Sequence, residues 1–170
     1  MTEASREVGV VVRRRSVDNP WIDELWSPAM ILEEVPETAP WTVLSSETDA
    51  TTYYAGSASI DLFSSETANY RDNLADGAPR IWVALRRPDG GAELELTKVT
   101  ADPTEGEALF ESGCEVIGTV PMPAEIASWI AAFVDRFHVE RVFHKRKRDR
   151  ARGDRPRVPG GRSDEGAGRP

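Results

Sequence analysis

The sequence predicts an α+β domain: a mainly antiparallel, curled sheet or partial barrel of about six to seven strands, covered by a long C-terminal amphipathic helix and followed by a disordered basic tail. Three observations carry this expectation. Short runs of period-two alternation recur between turn-forming residues as far as Val120. One apolar stripe, Ile126, Trp129, Ile130, Phe133, Val134 and Phe137, has helical spacing. From Arg141 to Pro170, eleven Lys or Arg stand against four Asp or Glu, a net of +7, whereas the preceding 140 residues carry ten basic and twenty-five acidic side chains, a net of −15.

Val8 to Val12 is a β-branched run and reads as a first strand that ends at Arg13, Arg14 and Arg15. Asp18-Asn19-Pro20-Trp21 is turn chemistry, because proline keeps its predecessor out of the helical region. Trp26 to Glu33 reads as a strand in which Pro28 argues for a sheet edge or a late start, and Trp41 to Leu44 reads as another. Thr51 to Leu62 is a longer strand with Thr52, Tyr54, Ala58, Ile60 and Leu62 on one face and a bulge at Gly56. Ser65 to Leu74 is a helix, with Ser64 as its N-cap and Gly77 just past its end.

Ile81 to Arg87 and Glu93 to Val99 alternate around Pro88-Asp89-Gly90-Gly91, the strongest hairpin signal in the chain, with Leu94 and Leu96 inward. A short helix follows from Asp102-Pro103 to Glu111, then a strand from Cys114 to Val120. Pro123 opens the apolar-striped helix, expected to run about 16 residues and span roughly 24 Å as a lid on the sheet. The organisation expected is a disordered N-terminus over 1–5, one domain over 6–143 and a basic, disordered tail over 144–170, where too few apolar residues remain to offset ordering entropy.

Residue chemistry excludes more than it assigns. A single cysteine, Cys114, rules out an internal disulfide framework and suits a reducing compartment. The polar Met1 to Glu7 stretch is unlike a secretory signal, and Ser16-Val17-Asp18-Asn19-Pro20 stands where a twin-arginine signal needs an apolar segment. No run reaches the length of a membrane span, so the expected location is cytoplasmic. His138, His144 and Cys114 lack zinc-ligand spacing, and His138 reads as a cation at a helix C-terminus, with Cys114 buried in a strand. Neither a GxSxG elbow nor a GxGxxG or GxxxxGK[ST] loop occurs, so no catalytic residue, metal or cofactor is assigned.

The candidate partner-binding residues are Trp21, Lys145, Arg146, Lys147, Arg148, Arg150 and Arg152. Of the five tryptophans, Trp41 and Trp82 read as core on strands, whereas Trp21 lies in a loop and suits an interface anchor. The cations would engage an acidic protein surface, nucleic-acid phosphates or anionic lipid, or simply solvate the chain. Nucleic acid is disfavoured, because the body is acidic and the arm lacks interleaved aromatics for base stacking.

Val8-Gly9-Val10-Val11-Val12-Arg13-Arg14-Arg15 with Asp18-Asn19-Pro20-Trp21, Ala55-Gly56, Glu66-Thr67-Ala68-Asn69-Tyr70-Arg71-Asp72-Asn73-Leu74, Ile81-Trp82-Val83-Ala84-Leu85-Arg86, Val120-Pro121-Met122-Pro123 and Phe143-His144-Lys145-Arg146-Lys147-Arg148 follow in an order of their own. Over roughly residues 8–148 they resemble a proteobacterial domain family of unknown function. Its members are often encoded beside formate dehydrogenase and other molybdoenzyme genes, and some carry the label molybdopterin-guanine dinucleotide biosynthesis protein A. The resemblance implies a non-catalytic accessory or assembly factor for a molybdenum-dependent formate dehydrogenase, with a protein partner. An enzyme of molybdenum-cofactor metabolism is the alternative it implies, and nucleic-acid binding through the tail is a second one read from charge.

Overall fold

A computed structural model describes residues 4–139. It is α+β, but with two antiparallel sheets where the alternation predicted one curled sheet or partial barrel. The first sheet holds β1 (Ala4–Ser16), β2 (Glu24–Leu32), β3 (Thr42–Ser46) and β4 (Ala50–Leu62), in the order β2-β1-β4-β3. β1 is central and paired along both flanks, and Val8, Val10 and Val12 form its row toward the core. The strand runs on through Arg13, Arg14 and Arg15 instead of stopping there, because both neighbouring ladders continue. Arg13 then reaches Glu47 at 3.4 Å, while Arg14 carries on the inward row. Pro28 lies on the edge strand β2, as its missing N–H predicts.

Three bulges cross this sheet side by side. The register skips Ala29 in β2, Ala55 in β4 and Leu44 in β3. Each extra residue reverses the alternation beyond it. In β4, Ile60 and Leu62 face the core, yet past the bulge it is Tyr53 that packs inward, not Thr52 or Tyr54. Tyr54 is buried on the outer face instead, and a Cβ on Gly9 would approach its ring at 3.2 Å. In β2, Trp26 is inward before the bulge and Ile31 after it. The expected bulge at Gly56 is thus present one residue earlier, and Gly56 (φ 120°) supplies the turn of backbone beside it.

The second sheet holds β5 (Arg80–Arg86), β6 (Glu95–Thr100) and β7 (Val116–Pro121), in the order β6-β5-β7. The expected β5–β6 hairpin is formed, with Leu94 and Leu96 inward. β7 runs beside β2, where Gly118 lies under Pro28, and β6 runs beside β4. No closed barrel results. Alternation specifies which face a strand buries but not its partner, and here the chain leaves the first sheet through a helix after β4.

That helix, α1 (Thr67–Ala75), follows a single 3-10 turn over Ser64–Glu66 and ends at Gly77 with φ 78°. Ser64 is therefore in the 3-10 turn and is not the cap. α2 (Pro103–Leu109) is capped by Asp102, whose Oδ1 accepts from the Thr104 and Glu105 N–H groups. α3 (Ala124–Phe137) is 14 residues, not a long lid, because His138 is already extended. Its Ile126, Ile130, Phe133 and Val134 enter one core with Val8, Val10, Ile60, Ile81 and Val83. Among the described residues no helix is long and apolar enough to cross a membrane.

Two contacts fix the helices on the second sheet. Asn73 of α1 donates to the Arg80 and Ala101 carbonyls (2.8 and 2.9 Å) and accepts the Arg80 N–H (3.0 Å). Gly106 of α2 lies flat on the Trp82 indole.

Candidate functional site

The inward row of β1 does not end in apolar residues. Beyond Val12 comes Arg14, level with Trp26 of β2 in the ladder. The re-phased Tyr53 of β4 joins them, so that the Arg14 guanidinium lies 5.8 Å from the Trp26 ring centre and 5.5 Å from that of Tyr53. Trp41 completes a ring cluster, edge-on to Trp26 at 5.9 Å and tilted against Tyr53 at 6.2 Å. With Pro40 and the Arg87–Leu94 turn opposite, these residues line a cavity of about 500 Å³ at the mouth of the space between the sheets.

Trp41 reaches its place at a cost. Ala39-Pro40-Trp41-Thr42 forms a type II turn, with Pro second, the Thr42 N–H donating to the Ala39 carbonyl, and the third residue at φ 69°. That position favours glycine, and a side chain there costs about 1–2 kcal/mol. The Trp41 N–H also donates to the Tyr54 carbonyl, which ties the turn to β4.

Charge in the cavity is unevenly settled. Arg87 is held by Glu115 (3.1 Å) and the Ala92 carbonyl (2.7 Å). Trp26 Nε1 donates to Glu24 at 3.2 Å. Arg14 has ring contacts alone, with no carboxylate or carbonyl partner among the described residues.

The candidate residue Trp21 lies elsewhere, in the loop joining β1 to β2. Its N–H donates to the Asn19 side chain (2.9 Å), an Asx turn, and the Val17 N–H closes the loop on the Asp23 carbonyl (3.1 Å). The turn holds the indole outward. Trp21 is 89% exposed, with Ile22 at 48% and Leu25 at 46% beside it. Lys145, Arg146, Lys147, Arg148, Arg150 and Arg152 lie outside the described residues, as does the expected tail over 144–170.

A third region, between α1 and α2, gathers Glu66, Asp102 and Glu105 around a depression of about 370 Å³. Its polar groups answer one another. Asn69 donates to Glu66 (3.0 Å) and Asp102 (3.2 Å), while Glu105 takes Thr100 Oγ1 (2.6 Å) and Lys98 (2.9 Å). Tyr70 beneath accepts the Phe63 N–H at 3.0 Å. Burial first, and the negative Asp102, Glu66 and Glu105 after it, push its phenol up from 10.0 to about 12.

Because the folded phenol holds its proton more tightly than the unfolded one, this stabilisation is complete below pH 10 and is lost as pH rises toward 12. Denaturant unfolding should show the wild type losing about 2–3 kcal/mol across that interval relative to Tyr70→Phe.

His138, expected as a cation at a helix end, sits at the end of α3 but is placed as an acceptor. Arg71 offers only donors, so the Nε2 atom at 3.0 Å accepts, and Nδ1 then donates to Thr67 Oγ1, also at 3.0 Å. Cys114 is half-buried in the turn before β7, not within a strand, and accepts from Ser112 Oγ at 3.3 Å. Trp82 is buried on β5 as expected, whereas Trp41 belongs to the cavity wall in the turn before β3. No cluster of three or more His, Cys, Asp or Glu able to hold a metal occurs among the described residues.

No curated protein and no solved structure matches the chain. The family model described as "Protein of unknown function (DUF3305)" matches residues 7–147, most of the sequence, and the chain belongs to that family.

Proposed function

We propose that this protein is a non-catalytic accessory or assembly factor for a molybdenum-dependent formate dehydrogenase, gripping a protein partner through the Trp21 tip. One observation carries the reading: a tryptophan 89% exposed, held outward by an Asx turn and flanked by exposed Ile22 and Leu25. Indole in water forfeits hydrophobic stabilisation that a partner would recover, and tryptophan leads the residues that dominate interface energies. The resemblance to domains encoded beside formate dehydrogenase genes supplies the partner class. The positive charge of Arg146, Lys147 and Arg148 raises the encounter rate with an acidic surface more than it deepens the final affinity.

The test is binding of the full-length protein to purified molybdenum-dependent formate dehydrogenase on a biosensor surface. Trp21→Ala should weaken the complex about 30-fold while leaving the melting temperature unchanged, since the side chain touches little of its own fold. Neutralising residues 145–148 should slow association and flatten its salt dependence, with dissociation little altered. Absence of saturable binding, or equal affinity for Trp21→Ala, overturns the proposal.

A further inference from the structure

We propose that the cavity at the mouth of the two sheets binds a small monocarboxylate with a flat apolar body, its carboxylate on Arg14 and its ring along Trp41 and Tyr53. The inference is independent of the Trp21 tip, which lies in another loop.

A ring cluster of this kind ordinarily receives a cation. Here the protein has already placed its own, since Arg14 lies over Trp26 and Tyr53. A second cation would meet that guanidinium. What the cavity still lacks is an acceptor, because the Arg14 donors find none among the described residues. A guanidinium beside two aromatic rings and without a protein acceptor among the described residues keeps its planar fork of donors available, and a carboxylate fills such a fork with two parallel hydrogen bonds.

The remaining charges narrow the ligand. Arg87 is compensated by Glu115, and Glu93 lines the exposed rim. One uncompensated cation with an anion at the entrance suits a single negative charge and disfavours a dianion such as phosphate. A cavity of about 500 Å³ is the size of a small-molecule site and too small for a folded partner.

Two further features of the backbone converge on this wall. The bulges at Ala29 and Ala55 turn Trp26 and Tyr53 inward, and Trp41 occupies a turn position that favours glycine. Strain of that sort persists where the surrounding structure enforces it, and it gathers at binding sites.

Naphthoate is the probe. Proton–nitrogen NMR of the full-length protein should show saturable shifts at the Trp26 and Trp41 indole N–H groups, with affinity about tenfold above that of naphthylmethylamine or naphthalene methanol. Arg14→Met keeps the apolar stem and should lose about tenfold in affinity. Trp41→Gly suits the turn, so it stays folded, and it should weaken naphthoate by a similar factor through the lost ring contact. Absent shifts, an amine bound as tightly as the carboxylate, or unchanged affinity in both variants overturns the proposal. Trp21→Ala should leave naphthoate binding unaltered, and Arg14→Met should leave dehydrogenase binding unaltered, so the two readings fail separately.

Discussion

Replacing Asn73 with leucine should lower the unfolding free energy by about 4 kcal/mol and the melting temperature by roughly 10 °C. The side chain is buried at 6% exposure and makes three hydrogen bonds, two to the backbone of Arg80 in β5 and one to the Ala101 carbonyl just past β6. Leucine is close in volume, so the loss is not a cavity effect. It is the cost of leaving the buried Ala101 carbonyl and the part-buried Arg80 N–H and carbonyl without their partner, each worth about 1–3 kcal/mol and not fully additive. Aspartate is no rescue, since the oxygen replacing Nδ2 would face two carbonyl oxygens. Chemical denaturation of both variants checks this. A leucine variant within about 1 kcal/mol of wild type would mean the bonds are replaced by water.

Gly106→Ala should destabilise by about 3 kcal/mol, against the sense of helix propensity, which favours alanine by about 1 kcal/mol. A Cβ at this position would stand 2.3 Å from Trp82 Cγ and 2.5 Å from Cδ1 and Cδ2. The indole is rigid and buried at 8% exposure, so either it or the whole of α2 must withdraw. Steric overlap therefore decides the sign. Pairing Gly106→Ala with Trp82→Leu should cost less than the sum of the separate changes, and the double-mutant cycle measures the coupling.

The elements themselves were largely legible because each rests on local chemistry. The β5–β6 hairpin follows from alternation around Pro88-Asp89-Gly90-Gly91, α2 from Asp102 before Pro103, and the face of α3 from Ile126, Ile130, Phe133 and Val134 at helical spacing. What escaped was set by contacts distant in sequence. Sheet membership depends on which strands meet, so the division into two sheets left no mark on alternation. The arginines looked like a strand end because charge suggests solvent, although Arg14 lies along aromatic faces.

The cavity was hidden for a related reason. Its walls depend on bulge phase, which moved Tyr53 inward where regular alternation had placed Tyr54. Gly56 was the one available signal of a bulge, but it could not fix which residue would be skipped. A tryptophan third in a proline turn gave no hint of φ 69°, because nothing local favours it. Trp21 stands in the loop that Asp18-Asn19-Pro20 marks as a turn, where the Asn19 side chain accepts its N–H.

The order β2-β1-β4-β3 also bears on how the chain reaches this state. Ser16 meets Glu24 across a short connection, while Ala4 must wait for Leu62. Closing the first ring sacrifices little chain freedom and closing the second sacrifices more, so the β1–β2 zipper is the inexpensive step and the arrival of β4 the slow one. Until then one flank of the valine-rich middle strand is without its ladder partner, and a bare strand edge is a template for pairing with a neighbouring chain.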